Sequence, residues 1–186
     1  MGRYLLLFLL IIAAYLKLDA RQPEHKKEEL KITEKQKGTT TIYLVRHAEK
    51  NTSDANDQDP DLTAAGLKRA NDLKAYLNGI TIDAFFSTPY KRNQKTLAPL
   101  AQGRPIQFYE AQDYEKLRQR ILNEFRGKTI LIVGHSNTLL PMIEALGGKK
   151  PVEQILDDQY DNIFRIKINA KDKAVVQADK FGAPRS

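Results

Sequence analysis

The stretch TIYLVRHAEKN, from Thr41 to Asn51, runs out of an apolar segment straight into an arginine and a histidine. Ile42, Leu44 and Val45 have the β-branched and leucine content of a buried strand, so Arg46 and His47 fall where that strand meets solvent. A permanent cation beside an imidazole, at the carboxyl end of a buried strand, raises two questions. One is whether the rest of the chain supplies more strands of this kind, and the other is what their ends carry.

It does supply them, alternating with helical patterns. Thr63 can cap a helix with Leu67, Ala70, Leu73, Ala75 and Leu77 as its apolar stripe, ended by Asn78-Gly79. A second strand is expected over Ile80 to Phe86, a helix over Pro89 to Leu100, and a short strand over Ile106 to Tyr109. Tyr114 to Phe125 is amphipathic, with Leu117, Ile121, Leu122 and Phe125 on one side. TILIV, Thr129 to Val133, is the continuous apolar run of a strand covered on both faces. A helix over Thr138 to Leu146 stops at Gly147-Gly148, and two strands, Asn162 to Ile168 and Ala174 to Ala178, flank a turn. The alternation predicts an α/β fold of three layers, a mostly parallel mixed sheet with helices on both faces. Ligands in such folds bind outside the carboxyl ends of the strands. Three of those ends carry polar chemistry: Arg46-His47, Ser87-Thr88 leading to Arg92, and Gly134-His135-Ser136.

Composition narrows the function classes. With 186 residues the chain suits one domain with appendages. The lack of cysteine excludes disulfides, thiolate metal sites and a cysteine nucleophile. A net charge of +7 favours anionic partners, but basic and aromatic residues are not interleaved, so nucleic acid is not an expected partner. Residues 4–16 form a charge-free apolar run after a short basic start, a length that suits a secretory signal better than a spanning helix. The expectation is therefore an exported protein, periplasmic or otherwise extracytoplasmic. Residues 1–20 act as a signal peptide or an N-terminal membrane anchor, which is the only route to the membrane. Residues 21–38 are rich in Lys and Glu and read as a charged linker, with His25 a surface histidine, and the folded domain spans residues 39–186.

Two histidines and two arginines at strand ends suit phosphoryl chemistry. Paired guanidiniums can clamp the equatorial oxygens of a phosphoryl group. Its transfer depends mainly on positioning and charge stabilisation. A neutral imidazole beside the clamp can attack phosphorus, and a protonated second one can donate to the same oxygens. His135 also precedes a helix start, whose free N–H groups favour anions. A metal site of His47, Glu49 and His135 is disfavoured by the adjacent Arg46 cation. The acidic loop from Asn51 to Asp61 lacks the glycine and terminal glutamate of an EF-hand, and reads as a solvated loop at the pocket mouth.

LVRHAEK, STPYKRNQKT and VGHSN together resemble the histidine phosphatase superfamily, the phosphoglycerate mutase-like family. Its signature is an Arg-His pair after the first strand, a distal arginine with a threonine four residues later, and a distal Gly-His. Arg46-His47, Arg92 with Thr96, and Gly134-His135 supply these in order. The resemblance implies that His47 is the nucleophile, that Arg46, Arg92 and His135 bind phosphate, and that neither metal nor cofactor is needed. Ala48 stands where many members have glycine, and Ser53 where mutase-type members have asparagine. Ser136 replaces the aspartate that one branch uses as proton donor; the other branch uses a carboxylate between the distal arginine and the second histidine, and resemblance to it implies Glu110 as the donor, with Asp113 second. The implied activity is phosphomonoester hydrolysis through a phosphohistidine on His47, with a phosphorylated small molecule or glycan as substrate. The alternatives are a phosphotransferase or mutase, a protein phosphohistidine phosphatase, or an idle phosphate-binding module.

Overall fold

The computed structural model describes residues 38–183, so the expectations for residues 1–20 and for the linker up to residue 37 lie outside the described residues. Ten elements follow Gly38. They are β1 (Thr40–Arg46), α1 (Ala64–Tyr76), β2 (Ala84–Ser87), α2 (Lys91–Ala101), β3 (Ile106–Phe108), α3 (Tyr114–Glu124), β4 (Thr129–Gly134), α4 (Ser136–Ala145), β5 (Asn162–Ile168) and β6 (Ala174–Lys180). The six strands form one sheet in the order β3-β2-β4-β1-β5-β6. The β2–β3, β2–β4 and β1–β4 pairs are parallel, whereas β1–β5 and β5–β6 are antiparallel. The expected mixed α/β sheet is what forms.

Alternate residues of the central strands feed two cores, as the period of two requires. Ile42 and Leu44 of β1 and Ile130 and Ile132 of β4 pack with Leu117 and Ile121 of α3 and Leu139, Met142 and Ile143 of α4. Tyr43, Val45, Leu131 and Val133 point the other way, against Leu73 of α1 with Leu77 behind it, and Leu97 and Ala101 of α2. Both faces of TILIV are therefore covered, which is why that run carries no polar residue between Thr129 and Gly134.

Some boundaries differ from expectation. β2 is shorter, because residues 80–83 do not join the ladder. Asp83 instead exchanges hydrogen bonds with Thr129, its N–H donating to the carbonyl at 2.7 Å and its carboxylate accepting from the amide at 2.8 Å. The stripe of α1 runs Gly66, Ala70, Leu73 rather than through Leu67, which is 49% exposed, and Ala75 is exposed too. Gly66 meets residue 49 so closely that a Cβ would lie 2.3 Å from the Glu49 carbonyl oxygen. Thr63 caps this helix as expected, accepting from Gly66 N–H at 3.0 Å. Among the described residues no helix is long and apolar enough to cross a membrane.

Candidate active site

Strand register assembles the site. Arg46 pairs with Gly134 and Ser87 with Val133, so β1, β4 and β2 release their chains side by side along the carboxyl-terminal rim of the sheet, its ligand-facing edge. His47 N–H continues the ladder by one more bond, to the Gly134 carbonyl at 3.0 Å. The residues following three sequence-distant strands thus become neighbours.

Cross-links fix them there. Thr96 accepts from Ala48 N–H at 3.0 Å and donates to the Arg92 carbonyl at 2.7 Å, which ties the first turn of α2 to the segment carrying the nucleophile candidate. Asn93, buried on the same helix face as Leu97, donates to the Val133 and Gly134 carbonyls at 3.2 and 3.3 Å. Tyr109 donates to Val133 O at 3.1 Å. Thr138 accepts from His135 N–H at 2.9 Å, closing the start of α4. Gly134 leaves little room among these groups: a Cβ would meet Leu139 Cδ2 at 2.9 Å and Tyr109 Oη at 3.1 Å.

A cavity of about 560 Å³ opens at this edge, and Arg46, His47, Arg92 and His135 all line it, with Lys50, Tyr90, Gln112, Asp157 and Tyr160 among its other walls. His47 is 4% exposed. Its Nδ1 lies 2.8 Å from the Ala48 carbonyl, and because a carbonyl only accepts, Nδ1 carries the proton and the Nε2 lone pair is left free. Burial, seconded by the positive field of Arg46 and Arg92 and by His135, pushes the His47 pKa down to about 3, with the Ala48 bond working against the shift. The His135 ring stands 5.4 Å from that of His47, and its Nε2 shares a 3.0 Å hydrogen bond with the Thr88 hydroxyl. Burial first, then Arg92, Arg46 and Lys50, lower its pKa to about 4. Without an anion in the cavity both imidazoles are neutral at physiological pH.

The arginines are held but not saturated. Arg92 stacks on Tyr90 at 4.2 Å and faces Asp59 at 3.8 Å, while its Nε and Nη1 are buried without a hydrogen bond. Asp59 also accepts from Lys91 N–H at 3.0 Å, so the acidic loop folds against the start of α2. Two guanidinium groups with unused N–H donors beside two neutral imidazoles can receive an anion.

The carboxylates distribute differently from expectation. Glu110 and Asp113 lie off the walls of this cavity, and both line a separate depression with Phe108, Tyr109 and Lys116. The reason is a turn, closed by Asp113 N–H to the Glu110 carbonyl at 3.1 Å, whose tip of Ala111 and Gln112 faces the cavity instead. Asp113 is engaged as the cap of α3, accepting from Lys116 N–H at 3.1 Å. Asp157 is the carboxylate among the residues lining the cavity with His47. Glu49 pairs with Arg69 at 2.8 Å and its carbonyl accepts from Thr63 N–H at 2.9 Å, so it fastens the strand exit to α1. Among the described residues no group of three or more His, Cys, Asp or Glu side chains is placed to hold a metal ion.

Sequence reasoning missed Tyr160, Asp157 and Asn93. The last had a signal, an amide four residues before Leu97 and eight before Ala101 on the buried stripe of its helix. The first two lie in an irregular segment before β5 whose polar run gives no periodic cue.

Residues 42–118 match the family model of the histidine phosphatase superfamily (branch 1). No curated protein matches this sequence. Several solved structures share the fold. One is the protein histidine phosphatase SixA complexed with tungstate, with a TM-score of 0.63 at 14% identity over 75% of this chain and 96% of that one. Phosphoserine phosphatase from Entamoeba histolytica, in complex with 3-phosphoglyceric acid, gives 0.58 at 17% identity over 78% and 98%. The alpha-ribazole phosphatase from Shigella flexneri gives 0.58 at 19% identity over 78% and 100%.

Proposed function

We propose, from the premise that this chain resembles the histidine phosphatase superfamily in sequence and shares its fold, that it is a phosphomonoester hydrolase using His47 as nucleophile. The observation that carries this is the tautomer of His47: Nδ1–H is tied to the Ala48 carbonyl, leaving Nε2 unprotonated at the cavity. Substrate phosphate enters between Arg46 and Arg92, whose N–H groups take its equatorial oxygens. His47 Nε2 attacks phosphorus, a P–N bond forms, and the bond to the leaving oxygen breaks. A carboxylic acid protonates that oxygen, and in the second half its carboxylate takes a proton from the water that attacks phosphorus. The P–N bond then breaks, releasing inorganic phosphate and neutral His47.

Burial, and after it the positive field of Arg92 and Arg46, lowers the His135 pKa; an anion between the guanidiniums offsets that field and favours proton uptake, so that the ring donates to the bound phosphoryl group. Glu110, expected from the resemblance, and Asp157, on the cavity wall, are the two candidates for the acid. The substrate class is a phosphorylated small molecule or glycan, and the extracytoplasmic location is carried by residues 1–20 alone.

The test is rapid quenching of the full chain with a labelled aryl phosphate. An acid-labile, base-stable label on wild type, absent from His47→Ala with the far-UV spectrum retained, is expected. Full turnover by His47→Ala overturns the reading. Transfer of the label to an added sugar alcohol at a rate matching hydrolysis would make the chain a phosphotransferase.

A further inference from the structure

Arg46 has an environment that the phosphate clamp does not by itself require. Its Nη1 donates to three main-chain carbonyls of one short segment, Asp157 at 2.9 Å, Leu156 at 3.1 Å and Gln159 at 3.4 Å. The next residue, Tyr160, presents its ring face to the guanidinium, with its ring centroid 4.1 Å from Arg46 Cζ. The same ring stands 6.1 Å from the imidazole of His47. Four residues of the five-residue run from Leu156 to Tyr160 therefore surround one cation with carbonyl dipoles and an aromatic face, both of which attract positive charge. The segment is itself tied into a turn by Gln159, whose N–H donates to Leu156 O while its side-chain oxygen accepts from Leu156 N–H, both at 3.0 Å.

This seat determines which edge of the guanidinium is available. A guanidinium can grip an anion through the Nη1–Nη2 end or through the Nε–Nη2 side. With Nη1 committed to carbonyls, the side fork remains, and Arg46 Nε is buried without a partner. An arginine emerging from a strand end would otherwise sample many rotamers, and ordering it would oppose phosphate binding by lost side-chain entropy.

We propose that the segment from Leu156 to Tyr160 is a preorganising seat for Arg46, and that Tyr160 is a positioning residue that acts on phosphate through that arginine. The inference rests on the proposed function only in taking phosphate as the anion. Tyr160 contributes its ring face rather than its hydroxyl, so phenylalanine can stand in for it and leucine cannot.

The test is equilibrium binding of inorganic phosphate to the full chain by titration calorimetry, which does not depend on turnover. Tyr160→Leu is expected to weaken binding about tenfold and Tyr160→Phe less than about twofold, in line with the strength of a desolvated cation–π contact. Gln159→Ala, which unties the turn, should weaken it by a few fold. On an Arg46→Ala background Tyr160→Leu should cause no further loss, because the arginine through which it acts is gone. Equal losses for Tyr160→Leu with and without Arg46 would overturn the proposal, as would a Tyr160→Phe variant as weak as Tyr160→Leu. Loss of folding in Tyr160→Leu, read by its urea midpoint, shifts the decision to Gln159→Ala, whose unchanged affinity would overturn it equally. Wild-type binding of phosphate with no hydrolysis of any phosphomonoester would sink the proposed function and leave this inference standing.

Discussion

A buried imidazole, His47, and a half-buried one, His135, make the domain sensitive to acid. In the unfolded chain each histidine takes up its proton near the ordinary value of 6.5, whereas in the folded domain His47 does so only near about 3 and His135 near about 4. Below that ordinary value the unfolded state binds more protons than the folded one, so stability falls as pH falls. The loss sets in near 6.5 and grows until the folded pKa values are reached. At about pH 5 each histidine lags by roughly 1.5 logarithmic units of proton uptake, which at about 1.4 kcal/mol per unit is roughly 2 kcal/mol. The His135 share is reduced by its contact with solvent, so together they remove between roughly 2 and 4 kcal/mol relative to neutral pH, a large share of the usual stability of a domain. Urea unfolding of wild type, His47→Gln and His135→Gln at about pH 7.5 and pH 5 measures this, because carboxylate titration is common to all three and cancels in the differences. His47→Gln should lose about 2 kcal/mol less than wild type on acidification, and His135→Gln should recover a smaller amount, because its ring is partly solvated. Saturating inorganic phosphate should reduce the wild-type loss, because an anion in the cavity favours protonated His135. Identical acid losses in all three proteins would refute the assignment of these rings as neutral in the folded domain.

Other outcomes follow from particular contacts. Thr96→Val leaves the buried Ala48 N–H without an acceptor and should cost about 1–3 kcal/mol in urea midpoint analysis, with kcat/KM falling further than stability explains. Gly66→Ala forces a methyl against the Glu49 carbonyl and should destabilise by roughly 1–3 kcal/mol, and a crystal structure should show the 49–50 segment displaced. Glu110→Gln and Asp157→Asn separate the two acid candidates: the variant that slows alkyl phosphates far more than nitrophenyl phosphate identifies the donor, and equal slowing by both variants excludes both. Fractionation of cells expressing the full chain should place activity outside the cytoplasm, and a cytoplasmic fraction holding all of it would refute the reading of residues 1–20.

The sheet was legible because its signals are local. TILIV between turn residues and the strand-like TIYLV each declare burial on two faces, and Thr63 declares a helix start. The convergence of Arg46, His47, Arg92 and His135 was also readable, because Arg46 ends a strand, His47 and His135 follow strands directly, and Arg92 sits in the first turn of the helix that follows β2, in a fold that collects these strand ends together. What was hidden depends on where irregular chain goes. Glu110 follows a strand as His47 does, but a one-turn reversal aims Ala111 and Gln112 at the cavity in its place, and turn direction has no periodic signature. Tyr160 and the carbonyls before it are of the same kind, since backbone oxygens aimed at a cation leave no mark on residue identity. Glu49, weighed in the sequence only as a disfavoured metal ligand, has Arg69 of α1 as its counter-ion, a partner twenty residues away that no local pattern announces.

The acidic loop has a consequence of its own. Its two ends are joined, by Asn51 N–H to the Asp61 carbonyl at 2.7 Å and by the Lys50–Leu62 bridge, so the chain leaves and re-enters the domain at one point. Doubling the length of such a loop costs only about 0.6 kcal/mol of closure entropy. The rim can therefore gain or lose residues over evolutionary time, or at an engineer's hand, with the strands beneath it unmoved. Asp59, which reaches from this loop to Arg92, is where such grafting would be felt in the cavity.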